Sequence, residues 1–366
     1  MKVHWFLPTG GDSREVLPTG REAHRRAPDH SYLAQVAQAC DRLGFDAVLT
    51  PCGTGCEDAW LATASLLPIT RRLRFLVAFR PALLTPTLAA QMASTYQRLS
   101  GGRLLVNIVT GAESAELARF GVHEDKETRY EMTGEFLRIM RGAWSGEPFD
   151  FAGKHYRVEG ATTRAVPDPL PEIYFGGASE AAEVVAAETV DVYLAWGEPP
   201  TMVTERLDRM RERAARAGRT LRFGIRFHVI ARDTAAEAWA EADRLLEGMD
   251  PEAVAAAAAD FANTQSVGQR RMAQLASSAR LEVYPNVWAG IGRVRGGVGT
   301  ALVGSHDEIA ERMLEYHELG FDEFILSGYP HLEEAYRFGE GVMPRLRASG
   351  HVPPLDTPDA PVFSFR

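Results

Sequence analysis

Short apolar runs alternate with amphipathic stretches from one end of this 366-residue chain to the other, and no other feature limits its fold so strongly. Val3–Leu7 opens the series as a buried strand. A helix is expected near Ser31–Leu43, where Leu33, Val36, Ala37, Cys40 and Leu43 form one stripe and Gly44 ends it. A strand at Asp46–Thr50, a helix from Asp58, a strand at Leu73–Phe79, a helix at Pro86–Leu99 and a strand at Leu104–Val109 follow. Beyond a polar excursion comes a longer helix near Thr128–Trp144, then a hairpin over Phe149–Val158 that turns at Gly153-Lys154. The alternation resumes with strand Ile173–Phe175, helix Glu180–Thr189, strand Val192–Trp196, helix Thr201–Ala217 and strand Leu221–Ala231. A helix at Ala235–Gly248 leads into a long insertion. Ser305 then caps a helix with Glu308 three residues on, and strand Glu323–Leu326 and a helix over about Leu332–Leu346 close the series.

Eight strand–helix units predict an α/β fold, a closed TIM (β/α)8 barrel. Asp41-Arg-Leu-Gly-Phe-Asp46 and Glu318-Leu-Gly-Phe-Asp322 are both helix–Gly–strand joints, placed in the first and last units as closure requires. An open doubly wound sheet is the structural rival, but it needs fewer parallel strands and usually a nucleotide-binding glycine loop. The reading is a single domain over 1–366, with insertions near 111–128, 145–170 and 250–304. Within the last, Asp250–Val283 is Ala-rich and helical, and Asn286–Gly304 is Gly-rich with Arg293 and Arg295. That Gly-rich segment reads either as a flexible connection or as a mobile lid that carries cations to an anionic ligand.

A net charge of −9, spread along the chain without a like-charge block, argues against nucleic acid as the main partner. No segment approaches the roughly 18 consecutive apolar residues that span a bilayer. Cys40, Cys52 and Cys56 are too few and too clustered for a disulfide framework, so a reduced, cytoplasmic protein is expected. A P-loop and a His-Glu-x-x-His metal site are both missing. Gly290-Ile-Gly292-Arg-Val-Arg-Gly296 has the wrong glycine spacing for a dinucleotide fingerprint, and Cys52-x-x-x-Cys56 lacks further ligands at zinc spacing.

Barrel active sites lie at the C-terminal ends of the strands, and there the sequence is more telling. In Arg222-Phe-Gly-Ile-Arg226-Phe-His228 the alternation puts Arg226 and His228 on one face. A cation and an imidazole turned into a barrel require an anion or a hydrogen-bonding network; a structural ion pair with a core carboxylate is the plainer alternative. Trp196 and Tyr329 end two other strands, either as packing aromatics or as walls for a flat cofactor or an apolar tail. Gly176-Gly177-Ala178-Ser179 opens a helix whose N-terminus suits a phosphate, although Ser179 also serves as an ordinary N-cap.

Taken together, Trp5-Phe-Leu-Pro-Thr9, Cys56-Glu-Asp-Ala-Trp60, Tyr174-Phe-Gly-Gly177, Trp196-Gly-Glu-Pro-Pro200 and Leu326-Ser-Gly-Tyr-Pro-His-Leu-Glu-Glu-Ala-Tyr336 give a chain that resembles the alkanesulfonate monooxygenases dependent on reduced FMN, in the bacterial luciferase-like group. The likeness runs from Val3 to about Leu346. It implies a two-component system: a separate NAD(P)H-dependent FMN reductase supplies reduced FMN, O2 is activated on the flavin, and the sulfonate carbon–sulfur bond breaks to give sulfite and an aldehyde. A homo-oligomer, dimer or tetramer, is expected with it, and neither membrane nor metal is implied.

The resemblance carries active-site roles to Cys56, Trp196, Arg226, His228, Arg295 and Tyr329. Arg226 and Arg295 would stabilise charge, His228 would transfer a proton or donate a hydrogen bond, Tyr329 would order substrate or flavin, and Cys56 would lie near the flavin without acting as a nucleophile. Asn107, Thr110, Tyr130, Gly177, Ala178 and Ser179 resemble flavin- and phosphate-contacting positions. Ala78-Phe79 lies where the wider group often has a cis peptide beside the flavin. The first loop departs from the pattern: Pro8-Thr9-Gly10-Gly11-Asp12 stands where the family has Pro-Thr-His-Gly-Asp, and Arg14–Arg26 is more basic. A sulfosugar, methanesulfonate or sulfone substrate therefore stays open, as do a deazaflavin-dependent oxidoreductase and a non-catalytic flavin-binding barrel.

Overall fold

The computed structural model describes residues 1–17, 25–111, 114–262, 264 and 266–355. Eight parallel strands form its centre: β1 (Lys2–Phe6), β2 (Ala47–Thr50), β3 (Arg74–Phe79), β4 (Leu104–Ile108), β5 (Ile173–Gly176), β6 (Val192–Trp196), β7 (Arg222–Arg232) and β8 (Glu323–Ser327). Each pairs with its neighbours in chain order, and β8 pairs with β1, so the sheet closes on itself. The barrel expected from the eight units is present, and the open-sheet rival is excluded.

Outside the strands lie α1 (His30–Leu43), α2 (Ala59–Leu66), α3 (Pro86–Ser100), α4 (Lys126–Ala143), α5 (Glu180–Thr189), α6 (Pro200–Arg216), α7 (His306–Glu318) and α8 (His331–Ala348). Local chemistry fixes their ends. Asp29 caps α1 by accepting from the Tyr32 amide, and Gly44 stops it at φ +82°, a left-handed conformation that an L side chain resists. The Ser305–Glu308 capping box forms as expected. The strand alternation sorts the core into two layers. Val3, Trp5, Val48, Phe75, Val77, Val106 and Phe175 pack outward against the helices, whereas Phe6, Leu49, Leu76, Leu105, Tyr174, Val192 and Ile325 fill the barrel.

At the N-terminal end the filling becomes ionic. Glu323 is fully buried, with His4 Nε2 at 3.0 Å, the Tyr174 hydroxyl at 2.7 Å, Arg222 at 2.8 Å and Lys2 at 3.4 Å. Despite burial, those partners hold its carboxyl down at about 2.

The described residues of the insertions form further helices and strands. A short helix at Ser114–Arg119 precedes α4, and Phe149–Ala152 pairs antiparallel with Arg157–Ala161 as the expected hairpin. Between β7 and α7 come helices at Ala235–Glu247, Pro251–Ala262 and Val267–Ala276. Asn286–Gly304, expected to be a flexible connection or a mobile lid, contains short paired strands and a 3-10 turn. Val287–Trp288 pairs with Ala301–Ser305, which itself pairs with the outer half of β7, and a 3-10 turn spans Gly290–Arg293. Here the glycines serve close approach. A Cβ on Gly299 would lie 2.6 Å from the Gly292 Cα, and one on Gly290 2.0 Å from the Trp288 ring. Residues 18–24 of the basic Arg14–Arg26 stretch lie outside the described residues.

Candidate active site

A cavity of about 270 Å³ opens at the C-terminal mouth, walled by the ends of β4 to β7. Asn107 and Thr110 follow from β4, Gly177, Ala178 and Ser179 from β5, Trp196 from β6 and Arg226 from β7, while Tyr130 reaches in from α4. These eight residues were all expected at the site, and the cavity brings them together. Ala78 is buried on β3 opposite Asn107 and is not among the lining residues, and its bond to Phe79 is trans.

One corner of the cavity suits a phosphate. Ser179 caps α5 through the Ala182 amide, which leaves the other first-turn N–H groups directed outward. Gly177 leaves room for close backbone approach: a Cβ there would stand 2.5 Å from the Ala182 Cβ and 3.6 Å from the Tyr130 hydroxyl. Glu198 and Arg206 also line the cavity and form a buried ion pair of 2.6 Å, with Arg271 of the Val267–Ala276 helix at 3.6 Å from the same carboxylate. That helix covers one side, with Gly268 seated against the Trp196 ring. The sequence reading did not assign Glu198, Arg206 or Gly268. The Trp196-Gly-Glu-Pro-Pro200 run contains Glu198, two residues past a strand end, and was the one available signal.

Beside the cavity, across Phe6, lies a cationic cluster. The Arg226 guanidinium sits 4.8 Å from the centre of the Phe6 ring, and that of Arg295 sits 5.9 Å from it. Among the described residues neither arginine has a carboxylate partner, and Arg226 Nε is buried without a hydrogen bond. The structural ion pair considered for Arg226 is therefore absent. Burial first, and then the Arg295 cation, push the Arg226 pKa down to about 9.

His228 is fully buried, 2.9 Å from the Ser327 hydroxyl through Nδ1 and 3.4 Å from Arg295 through Nε2. A guanidinium offers only donors, so Nε2 holds the lone pair and Nδ1 carries the proton, donated to Ser327. Burial and the two arginines hold the imidazole pKa well below its usual value, so the ring is neutral. The Tyr329 ring stacks on His228 at 5.3 Å, and its oxygen accepts a hydrogen bond from Arg295. Cys56 is half-buried near Thr9; burial pushes its thiol up, against the pull of Arg295 and Arg80, and keeps it protonated. The cluster thus joins four strand ends and the insertion around two guanidinium groups.

A family model of the luciferase-like monooxygenases matches residues 1–323. The chain belongs to that family. Solved structures share its fold. A riboflavin lyase, solved with modified FMN and riboflavin, has a TM-score of 0.80 at 20% identity and covers 96% of this chain and 92% of its own. A long-chain alkane monooxygenase reaches 0.76 at 20% identity over 96% and 92%, and the EDTA monooxygenase of Chelativorans sp. BNC1 reaches 0.75 at 20% over 96% and 95%. No helix of the described residues is long and apolar enough to cross a membrane.

Proposed function

We propose that this luciferase-like protein is a two-component flavin-dependent monooxygenase that uses reduced FMN and O2 to desulfonate alkanesulfonates. The observation that carries the reading is the pair Arg226 and Arg295, brought together at the barrel mouth without a counter-charge among the described residues and next to a cavity whose corner suits a phosphate. Two guanidinium groups supply planar forks of donors that match the oxygens of a sulfonate.

The residues fit FMN as the group that fills the cavity: α5 and its glycines would hold the phosphate, with Tyr130, Thr110 and Asn107 along the wall. When bound, reduced FMN supplies the electrons that activate O2. The chain itself binds the sulfonate through Arg226 and Arg295 and keeps His228 neutral as a hydrogen-bond acceptor. The Tyr329 hydroxyl, whose oxygen already accepts from Arg295, keeps its own proton for a ligand oxygen. The protonated Cys56 contributes no nucleophile. An NAD(P)H-dependent FMN reductase would deliver the flavin, which acts here as an exchanged substrate.

A second reading, desulfonation or oxidation of another organosulfur compound, draws on Gly10. A Cβ at this position would lie 2.9 Å from the Gly55 carbonyl oxygen, so the first loop lies directly on the Cys56 loop and presents no side chain where the resembled family has histidine. The deciding experiment mixes enzyme and reduced FMN anaerobically with a panel of alkanesulfonates, a sulfosugar and a sulfone, admits O2, and measures sulfite and aldehyde. One equivalent of sulfite per reduced flavin from an alkanesulfonate is expected. Absence of sulfite with every sulfonate sinks the reading, and turnover with a deazaflavin in place of FMN reassigns the cofactor.

A further inference from the structure

Behind the cationic cluster lies a buried pair that the proposed chemistry leaves unused. Asp12 belongs to the loop after β1, and His331 is the first residue of α8, so together they join the two strand series ends at the barrel mouth. The Asp12 carboxylate is saturated. Its Oδ1 accepts from the Ser13 amide at 2.8 Å and lies 2.7 Å from His331 Nδ1; its Oδ2 accepts from the His331 amide at 2.8 Å and from the Tyr32 hydroxyl. An ionised carboxylate only accepts, so the imidazole proton on this side stands on Nδ1. His331 is 3% exposed, and its Nε2 has no partner among the described residues.

The imidazole is wedged between two aromatic rings, 5.4 Å from Phe6 and 5.5 Å from Tyr329. Those are the rings on which the site is built. Arg226 and Arg295 both lie over Phe6, Arg295 also lies 5.6 Å from the centre of Tyr329, and His228 stacks on Tyr329. Two like charges with no counter-ion among the described residues push each other apart, and a cation over a ring is a weak, weakly directional contact. Their spacing is held only if the rings beneath them cannot turn. A histidine tied through Nδ1 to a saturated carboxylate cannot rotate its ring, and it backs both seats at once.

We propose that Asp12 and His331 are a positioning pair that fixes the Phe6 and Tyr329 seats and, through them, the separation of Arg226 and Arg295. The consequence for anion binding rests on the desulfonation reading; the positioning itself does not. Three variants separate the two links. His331→Asn keeps a donor near the Nδ1 place and loses the ring; His331→Phe keeps a ring and loses the bond to Asp12; Asp12→Asn removes the charge and leaves His331 whole.

For each, a crystal structure gives the guanidinium positions. Quenching of tryptophan fluorescence gives the affinities for 1-octanesulfonate and for reduced FMN. Arg295 is expected to leave the Tyr329 hydroxyl, with octanesulfonate binding weakened about tenfold and FMN binding unchanged, as loss of one oriented contact would give. Guanidinium groups that stay in place in the folded variants overturn the proposal, whatever happens to the melting temperature. Displaced guanidinium groups in a protein whose wild type binds no sulfonate uphold the positioning and sink only the substrate reading. If His331→Asn does not fold, Asp12→Asn and His331→Phe carry the same readout.

Discussion

The two ends of this barrel handle buried charge in opposite ways. At the floor, Glu323 faces His4, Tyr174, Lys2 and Arg222, and each charge there has a partner of the other sign. At the mouth, Arg226 and Arg295 share a pocket with a neutral imidazole and a phenol, and among the described residues no carboxylate answers them. Both ends use inward-facing positions on the same strands: β7 gives Arg222 to the floor and Arg226 to the mouth, with Gly224 between them on the same face. Burial of a charge therefore says little by itself. A paired charge deep in the fold is a structural commitment whose loss of one partner is costly, whereas an unpaired one is a place left for a ligand.

The contrast breaks most sharply at Arg226. Arg226→Ala should lower sulfite release by 100-fold or more, on the order of 3 kcal/mol of lost charge stabilisation, with an unchanged melting temperature, because the side chain has no partner to strand. A variant that melts early yet turns over normally when folded would make the mouth resemble the floor. The next effect belongs to Glu323→Gln. Removal of the shared anion leaves His4 without its acid partner and Arg222 and Lys2 with Glu172 alone, and should destabilise the fold by roughly 3 kcal/mol, while the folded fraction keeps its activity.

The sign of the pH dependence follows from the carboxyl being held near 2 against its usual 4.5. The depressed value means that the contribution of Glu323 is complete above about pH 4.5 and is lost as pH falls toward 2. Urea unfolding across pH 2–6 should show that acid limb in the wild type and a flatter one in Glu323→Gln. The smallest change is expected for Cys56→Ala. Because burial keeps the thiol protonated, turnover should shift by no more than about threefold, as for loss of a small packing group. A thousandfold loss would mean that the field of the arginines serves to activate the sulfur and not to receive an anion.

Most of the frame was legible because its signals are local. Each of the eight strands reads as a short apolar run, and Gly44, Asp58 and Ser305 mark helix ends through chemistry that needs no tertiary partner. Arg226 and His228 could be placed on one face because a strand has a period of two. Other features were not legible because they depend on distant pairing. The glycines of Asn286–Gly304 look like hinges in sequence, and only the contact between Gly292 and Gly299 shows that they let two backbones touch. Likewise Asp12 and His331 are 319 positions apart, and nothing in either neighbourhood signals a hydrogen bond between them. Glu198 is hidden for the same reason, since its partners Arg206 and Arg271 come from two different helices.

β7 is 11 residues long, and its two halves belong to different assemblies. Residues Arg222–Arg226 bond β6 and Gly224–His228 bond β8, while His228–Arg232 run alongside Ala301–Ser305 of the insertion. The strand is thus a continuous beam through the wall of the barrel, with His228 at the point where it changes hands. The insertion cannot be exchanged for that of a relative at its visible borders, near Ala235 and Ser305, because the ladder it rests on begins inside the barrel. The smallest piece that could be transplanted with its register intact runs from His228 to Ser305; it takes His228 and Arg295 with it and begins two residues after Arg226. Reshaping this roof and retuning the charge at the mouth are, for this protein, a single change of architecture.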